Sequence, residues 1–168
     1  MKRKPVAISV VGVHNSGKTT LIEKLIPILK ARGLRVGTIK HTCHEGFEID
    51  VAGKDTSRHR SAGSEAVAIS SRTKTVFVRE FKSELTLVKL LELYESQDLV
   101  LVEGFKKSSL PKVEVFRKEL GKNLVAAEDP DLLAVYSEDA VKTSVPVFSS
   151  ARIDELAEFI EREFFGTK

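Results

Sequence analysis

The sequence predicts an α/β layer fold on a mainly parallel central sheet, and three features carry that prediction. Apolar runs at 5–11 and 99–102 are continuous rather than alternating, as in parallel strands covered on both faces. Segments with helical apolar spacing alternate with such runs along the chain. A glycine-containing loop joins the first run directly to the first helical segment, the connection typical of a strand–loop–helix unit.

The first strand is expected over 5–11 and the first helix over about 18–32, where Leu21, Leu25, Ile28 and Leu29 share one face. Pro27 lies inside that helical pattern and removes a backbone donor, so a kink or local break is expected there. Gly33 ends the helix and 35–40 reads as a second strand. Residues 41–63 have little apolar periodicity and many polar side chains, the composition of a functional loop. Short strands at 65–70 and 74–79, separated by Ser71, Arg72 and Thr73, suggest a hairpin. Leu87, Leu90, Leu91 and Tyr94 space as one helical face, and 98–103 is a strand ending in Glu103. Further strands are expected at 113–117, 132–136 and 145–148. Ser149 or Ser150 is expected to cap a last helix whose Ile153, Leu156, Ala157, Ile160 and Phe164 form a stripe.

Composition bounds the function. The 168 residues include 27 Lys and Arg against 24 Asp and Glu, four His, one Cys and no Trp. With 42% hydrophobic and 30% charged residues, collagen-like, low-complexity and broadly disordered chains are excluded. The length suits one domain over 1–168. A lone Cys excludes an internal disulfide and a Cys-only zinc site, so a cytoplasmic setting is expected. The net charge of +3 is too small to imply nucleic acid, and Lys2-Arg3-Lys4 reads as a solvated terminus. That basic run and the apolar stretch after it imitate a secretory leader, but no small-residue cleavage site follows. No run approaches the roughly 20 apolar residues of a membrane span.

The sharpest signal is Gly12-Val13-His14-Asn15-Ser16-Gly17-Lys18-Thr19, a full match to G-x-x-x-x-G-K-[ST] between an apolar strand and an amphipathic helix. Gly12 and Gly17 permit dihedrals that turn successive N–H groups inward around phosphate oxygens. The helix start adds the positive end of its dipole. Lys18 supplies a mobile charge for β- and γ-phosphates, and the Thr19 hydroxyl suits Mg²⁺. A dinucleotide fingerprint would need a second glycine where Val13-His14 stand. The expectation is a P-loop NTPase-like three-layer fold whose phosphate loop, Gly12, His14, Asn15, Ser16, Gly17, Lys18, Thr19 and Thr20, holds a nucleotide.

Mg²⁺ in such proteins is commonly held by a carboxylate closing a second apolar strand, which nominates Glu103 beside Thr19, with Lys18 and Glu103 as the catalytic pair. Gly104 would allow close approach to the phosphates, and Asp98 opens the same strand at the wrong end for a ligand. Asp50 is a further candidate for the metal. Gly53-Lys54-Asp55-Thr56, followed by Arg58 and Arg60, has the pattern of a second anion site opening a helix, with Asp55 or Thr56 as cap; a capped surface helix reads equally well. His41, Cys43 and His44, with His59, suggest a transition-metal cluster, but no second group stands at a standard spacing. Cys43 reads as a bystander more readily than a nucleophile. The Asn-Lys-x-Asp of guanine-specific GTPases is absent. Ser137-Glu138-Asp139 stands where it would fall, and Ser150-Ala151-Arg152 is similar to the Ser-Ala-Lys element of many GTPases. Chemistry alone favours GTP over ATP by a small margin.

Taken together, 12–20, Ile39-Lys40-His41 with His44, 50–56, Leu101-Val102-Glu103-Gly104-Phe105-Lys106 and Pro111-Lys112-Val113-Glu114-Val115 resemble the molybdopterin-guanine dinucleotide biosynthesis protein B (MobB) family over most of the chain. The resemblance implies a homodimeric, GTP-binding adapter with weak GTPase activity, assisting a guanylyltransferase that joins GMP to molybdenum-loaded molybdopterin. It implies that 12–20 hold the GTP phosphates and that Gly53, Lys54, Asp55 and Thr56 form a second anion site, with the pterin phosphate as a candidate occupant. Cys43 stands where the family often has a His (His-Thr-His-His), which weakens a metal role. Neither nucleic acid nor membrane is implied. Two rivals remain open: a small-molecule kinase, with Arg58, Arg60 and Arg72 as a phosphoryl clamp, and a GTPase metallochaperone built on 41–44.

Overall fold

The computed structural model describes residues 4–42, 53–121 and 123–166. Contacts divide the chain into two compact units, residues 1–42 with 88–168, and residues 43–87.

The first unit is built on a six-stranded sheet of β1 (Val6–Val11), β2 (Val36–Lys40), β5 (Leu99–Glu103), β6 (Lys112–Val115), β7 (Leu132–Tyr136) and β8 (Val147–Phe148), where β3 and β4 belong to the second unit. The order is β2-β5-β1-β6-β7-β8 and every pairing is parallel. The continuous apolar runs are β1 and β5, paired in register from Val6 with Leu99 to Val10 with Glu103. Ile8, Val10, Leu99 and Leu101 point to one face, where they bury Leu21, Leu25 and Leu29 of α1 (Lys18–Ala31) with Leu156, Ala157 and Ile160 of α4 (Ile153–Phe165). Val11 and Val135 point to the other face and pack with Phe116, Ala126 and Leu132. This is the expected P-loop NTPase-like α/β fold. Its loops at the carboxyl ends of β1, β5, β6 and β7 are where ligands of open parallel sheets bind.

Two fully buried ionisable groups on β6 fasten loops to the sheet. Lys112 Nζ donates to the carbonyls of Ser108 (2.6 Å) and Leu110 (3.1 Å) and lies 3.1 Å from the Asp129 carboxylate. Glu114 accepts the N–H groups of Val125 (2.7 Å) and Ala126 (2.8 Å), and burial pushes its carboxyl above the ordinary glutamate value.

Several local expectations are corrected. α1 runs unbroken through Pro27. Pro27 and Glu23 are both exposed, so the Glu23 carbonyl deprived of its helical donor lies on the water-facing side. Neither Ser149 nor Ser150 caps the last helix with its side chain. A 3-10 turn, Ser150–Arg152, precedes α4, and the Glu138 carboxylate takes the Ser150 N–H at 2.7 Å. Leu87, Leu90, Leu91 and Tyr94 do form one half-buried stripe, as α3 (Leu87–Leu91) followed by a 3-10 turn, Glu92–Tyr94. The Tyr94 hydroxyl donates to the Thr38 carbonyl at 2.6 Å. Its ring lies where a side chain at Gly37 would stand, 2.5 Å from an added Cβ, so only glycine fits on β2 there.

In the second unit, α2 (Asp55–Ser61) leads into the antiparallel hairpin β3 (Ala66–Ser70) and β4 (Thr75–Arg79), paired from Ala66 with Arg79 to Ser70 with Thr75. The Ser71 N–H donates to the Lys74 carbonyl, and the Ser71 hydroxyl accepts from Lys74 N–H, closing the turn at the predicted place.

Candidate functional site: a phosphate loop and an adjoining cavity

β1 ends at Val11 and α1 begins at Lys18, so the six residues between them must reverse the chain in a tight arch. Three take positive φ to do so: Gly12 (142°), Asn15 (61°) and Gly17 (99°). Gly12 is irreplaceable on space as well, since an added Cβ would lie 2.4 Å from the Val115 carbonyl oxygen and 2.7 Å from Ser16 Oγ. Ser16 is fully buried under the arch and its hydroxyl has no hydrogen-bond partner among the described residues. His14 and Asn15 form the exposed crest.

Lys18 opens α1 and folds back over the arch, donating to the carbonyls of Val13 (2.7 Å) and Gly12 (3.3 Å). Burial lowers its pKa against the pull of Glu103, and nearby Lys40 lowers it further. Thr19 Oγ1 donates to Glu103 Oε2 at 2.9 Å, and Lys40 Nζ lies 3.4 Å from Glu103 Oε1. The strand-end carboxylate thus turns toward the loop, because β5 is the hydrogen-bonded neighbour of β1 and Glu103 pairs with Val10, one residue before β1 ends. Gly104 takes φ 102° and also meets a packing need. An added Cβ there would lie 3.2 Å from His41 Cβ, so its bareness makes room for His41, which packs against Phe105 at 4.5 Å.

These residues fit a Mg²⁺-bound polyphosphate. The arch offers positive-φ backbone of the kind that cradles anions and one ammonium, and the Thr19 hydroxyl and Glu103 carboxylate stand side by side as hard oxygen ligands. Asp50, Cys43 and His44 lie outside the described residues. Among the described residues no group of three or more His, Cys, Asp or Glu could hold a metal. Asp98 is occupied structurally, taking the Arg35 guanidinium at 2.8 and 2.9 Å.

Gly53, Lys54, Asp55 and Thr56 belong to the second unit. Neither Asp55 nor Thr56 is the cap. Lys54 holds the N-cap position with extended backbone, Asp55 is the first helical residue, and Thr56 is buried. An acid in the first turn complements the helix dipole without capping, which is the role Asp55 takes. Arg60 pairs with Glu80 at 2.9 Å.

One residue at the loop was missed from sequence. Arg117, just past β6, donates from Nε to the Ser16 carbonyl at 3.0 Å and lies 3.3 Å from where a Gly17 side chain would be. Nothing local marks it; its place follows from β6 lying beside β1. Beyond it a cavity of about 380 Å³ opens, lined by Thr20 and Lys24 of α1, Arg117, Tyr136, Glu138 and Ser150, and sharing Ser16 and Gly17 with the phosphate loop. Hydrogen bonds from the Ser150 backbone and hydroxyl hold the Glu138 carboxyl below the usual carboxylate range, with Lys24 and Arg117 adding to the effect.

Comparison with known proteins places this geometry in a family. Residues 7–138 match the family model described as molybdopterin guanine dinucleotide synthesis protein B, MobB. The chain is 37% identical over 156 residues to the molybdopterin-guanine dinucleotide biosynthesis adapter protein of Haemophilus influenzae, covering 92% of this chain and 86% of that one. It is 36% identical over 152 residues to the adapter protein of Escherichia coli, covering 86% and 85%. The crystal structure of Bacillus subtilis MobB is similar with a TM-score of 0.76 and 27% identity, over 96% of this chain and 99% of that one. On the family match and these relatives, the chain belongs to the MobB family.

Proposed function

We propose that this chain is a GTP-binding adapter in molybdopterin guanine dinucleotide biosynthesis, at most a slow GTPase, which assists a partner guanylyltransferase joining GMP to the molybdenum-loaded pterin. The relatives' names support the pathway and the adapter role. The observation that carries nucleotide binding is the arch itself, in which positive φ at Gly12, Asn15 and Gly17 converges backbone on a space bounded by Lys18. Thr19 and Glu103 would hold Mg²⁺, which when bound neutralises charge on the phosphate oxygens. Lys18 would exchange its two loop carbonyls for phosphate oxygens, a stronger, charge-assisted partnership.

Hydrolysis should be slow. The guanidinium nearest the loop, Arg117, is engaged with the Ser16 carbonyl and lies 3.5 Å from Glu119, so it is committed to holding the arch. Intrinsic turnover at about 10⁻³ s⁻¹ or below is expected of such a site. By likeness to the family, the working form is a cytoplasmic homodimer, with the pterin a candidate ligand of the second unit.

Titration calorimetry tests the reading. Wild type should bind GTP in a Mg²⁺-dependent manner and Lys18→Ala should lose at least tenfold in affinity. No GTP binding by wild type, or equal affinity in Lys18→Ala, would overturn it. A phosphorylated product from a panel of metabolites would point instead to the kinase.

A further inference from the structure

The carboxylate that closes β5 is held from two sides. Oε2 accepts the Thr19 hydroxyl at 2.9 Å, and Oε1 lies 3.4 Å from Lys40 Nζ. Strand register puts Lys40 there. β2 pairs with β5 from Val36 with Leu99 to Lys40 with Glu103, so the last pair stands opposed at adjoining strand ends, with backbones about 4.8 Å apart. Ile39 and Val102, the pair before, are both buried, and alternation along each strand turns Lys40 and Glu103 together to the other face. Their surroundings differ. The Glu103 side chain is 14% exposed and that of Lys40 is 67% exposed. The carboxylate is largely covered, whereas an ammonium mostly in water exchanges such a partner readily. Lys18 feels both groups, so two ammoniums share one carboxylate at this edge of the loop.

Resting on the nucleotide-binding reading, we infer that Lys40 guards Glu103 against a lone divalent cation, so that Mg²⁺ enters the site in company with a polyphosphate. Lys40 is a positioning residue, acting through Glu103. A free Mg²⁺ approaching Glu103 meets an ammonium already at one oxygen, and its double charge makes the repulsion about twice that on a monovalent ion. Displacing the ammonium does not remove it, because β2 holds Lys40 beside the carboxylate. A phosphate tail changes the balance. Its oxygens offer Lys40 and Lys18 charge-assisted hydrogen bonds in exchange for their protein partners. Glu103 is then left free, next to the Thr19 hydroxyl, as a hard oxygen ligand. The consequence is a coupling in which metal and nucleotide raise each other's affinity by one common factor, and Lys40 sets part of that factor. A cross-strand pair that served stability alone would leave the coupling unchanged.

Titration of the full chain with Mn²⁺ alone tests this, since Mn²⁺ favours the same oxygen ligands as Mg²⁺ and its free-ion paramagnetic resonance signal disappears on binding. Lys40→Met keeps the aliphatic stem without the charge and should bind Mn²⁺ at least fivefold more tightly than wild type, while Lys40→Arg should match wild type. Adding Glu103→Gln to Lys40→Met should abolish the gain, which assigns the ion to that carboxylate. Calorimetry of GTP with and without Mg²⁺ then gives the coupling, and the factor by which Mg²⁺ raises GTP affinity should fall at least threefold in Lys40→Met. Equal Mn²⁺ affinity in wild type and Lys40→Met, a gain that survives Glu103→Gln, or an unchanged Mg²⁺ factor overturns the assignment. If Lys40→Met does not fold, Lys40→Gln carries the same comparison. Failure of wild type to bind GTP would instead remove the proposed function, while Mn²⁺ alone would still decide whether Lys40 guards Glu103, so the two failures are distinct.

Discussion

Two glycines with positive φ separate backbone strain from packing in this fold. Gly12 has φ 142° and a Cβ there would meet Val115 O at 2.4 Å and Ser16 Oγ at 2.7 Å; Gly33 has φ 88° and nothing within 4 Å. An alanine at Gly33 therefore incurs conformational strain alone, about 1–2 kcal/mol. At Gly12 the strain is at least comparable, and the Val115 carbonyl must also withdraw by roughly 1 Å to restore van der Waals contact. That carbonyl belongs to β6, whose Val115 is paired with Tyr136, so its withdrawal strains the sheet rather than a loose loop. Overpacking of this kind adds about 1–3 kcal/mol. Gly12→Ala should thus melt lower than Gly33→Ala by about 2 kcal/mol, roughly 4–8 °C for a chain this long. The assay is thermal unfolding with and without Mg²⁺-GTP, since a ligand that binds only the native state raises the midpoint. Gly33→Ala should keep the nucleotide-induced rise and Gly12→Ala should lose it. Equal midpoints for the two variants, both still rising with GTP, would refute a closed arch at Gly12.

The two buried groups on β6 make further predictions. Glu114→Ala should destabilise the chain by about 1–3 kcal/mol for each amide left unpaired at Val125 and Ala126, read by urea denaturation. Because burial raises the Glu114 pKa, the folded state holds that proton more tightly than the unfolded state. Its contribution is therefore full below the ordinary glutamate pKa and declines as pH rises through the raised folded value, a slope that Glu114→Gln should abolish in denaturation series across acidic pH. Lys112→Met should cost roughly 1–3 kcal/mol by orphaning the Ser108 and Leu110 carbonyls, with faster amide exchange at 108–112. Unchanged stability would show that water replaces the ammonium there.

The sequence made legible whatever depends on near neighbours. The phosphate arch needed only its glycines, its lysine and the elements on either side, and each stands where the pattern put it. The hairpin turn followed from Ser71, whose hydroxyl closes it locally. Pro27 misled because its effect depends on which helix face meets water, and that is decided by packing on a sheet not visible from a single helix. The caps misled for a related reason. A serine cap would accept an amide two or three residues on, but here the Arg152 N–H goes to the Ser149 carbonyl in a 3-10 turn, and Glu138, twelve residues earlier, takes the Ser150 N–H.

The misreadings share a cause that bears on function. A parallel sheet sets beside β1 two strands distant in sequence, β5 and β6, and each delivers one residue to the phosphate loop. Glu103 was found because a carboxylate closing an apolar strand is a recognisable pattern, while Arg117 lies beyond a strand with no such mark. The same order sets β7 next to β6 and β8 next to β7, which gathers Arg117, Glu138 and Ser150 around one cavity from segments up to 33 residues apart. Loop chemistry shared by many nucleotide-binding chains is written locally, whereas the cavity beside that loop is assembled by strand order. Substitutions at Lys18, whose ammonium the local pattern places at the loop, should accordingly decide whether any nucleotide binds at all, as read by titration calorimetry.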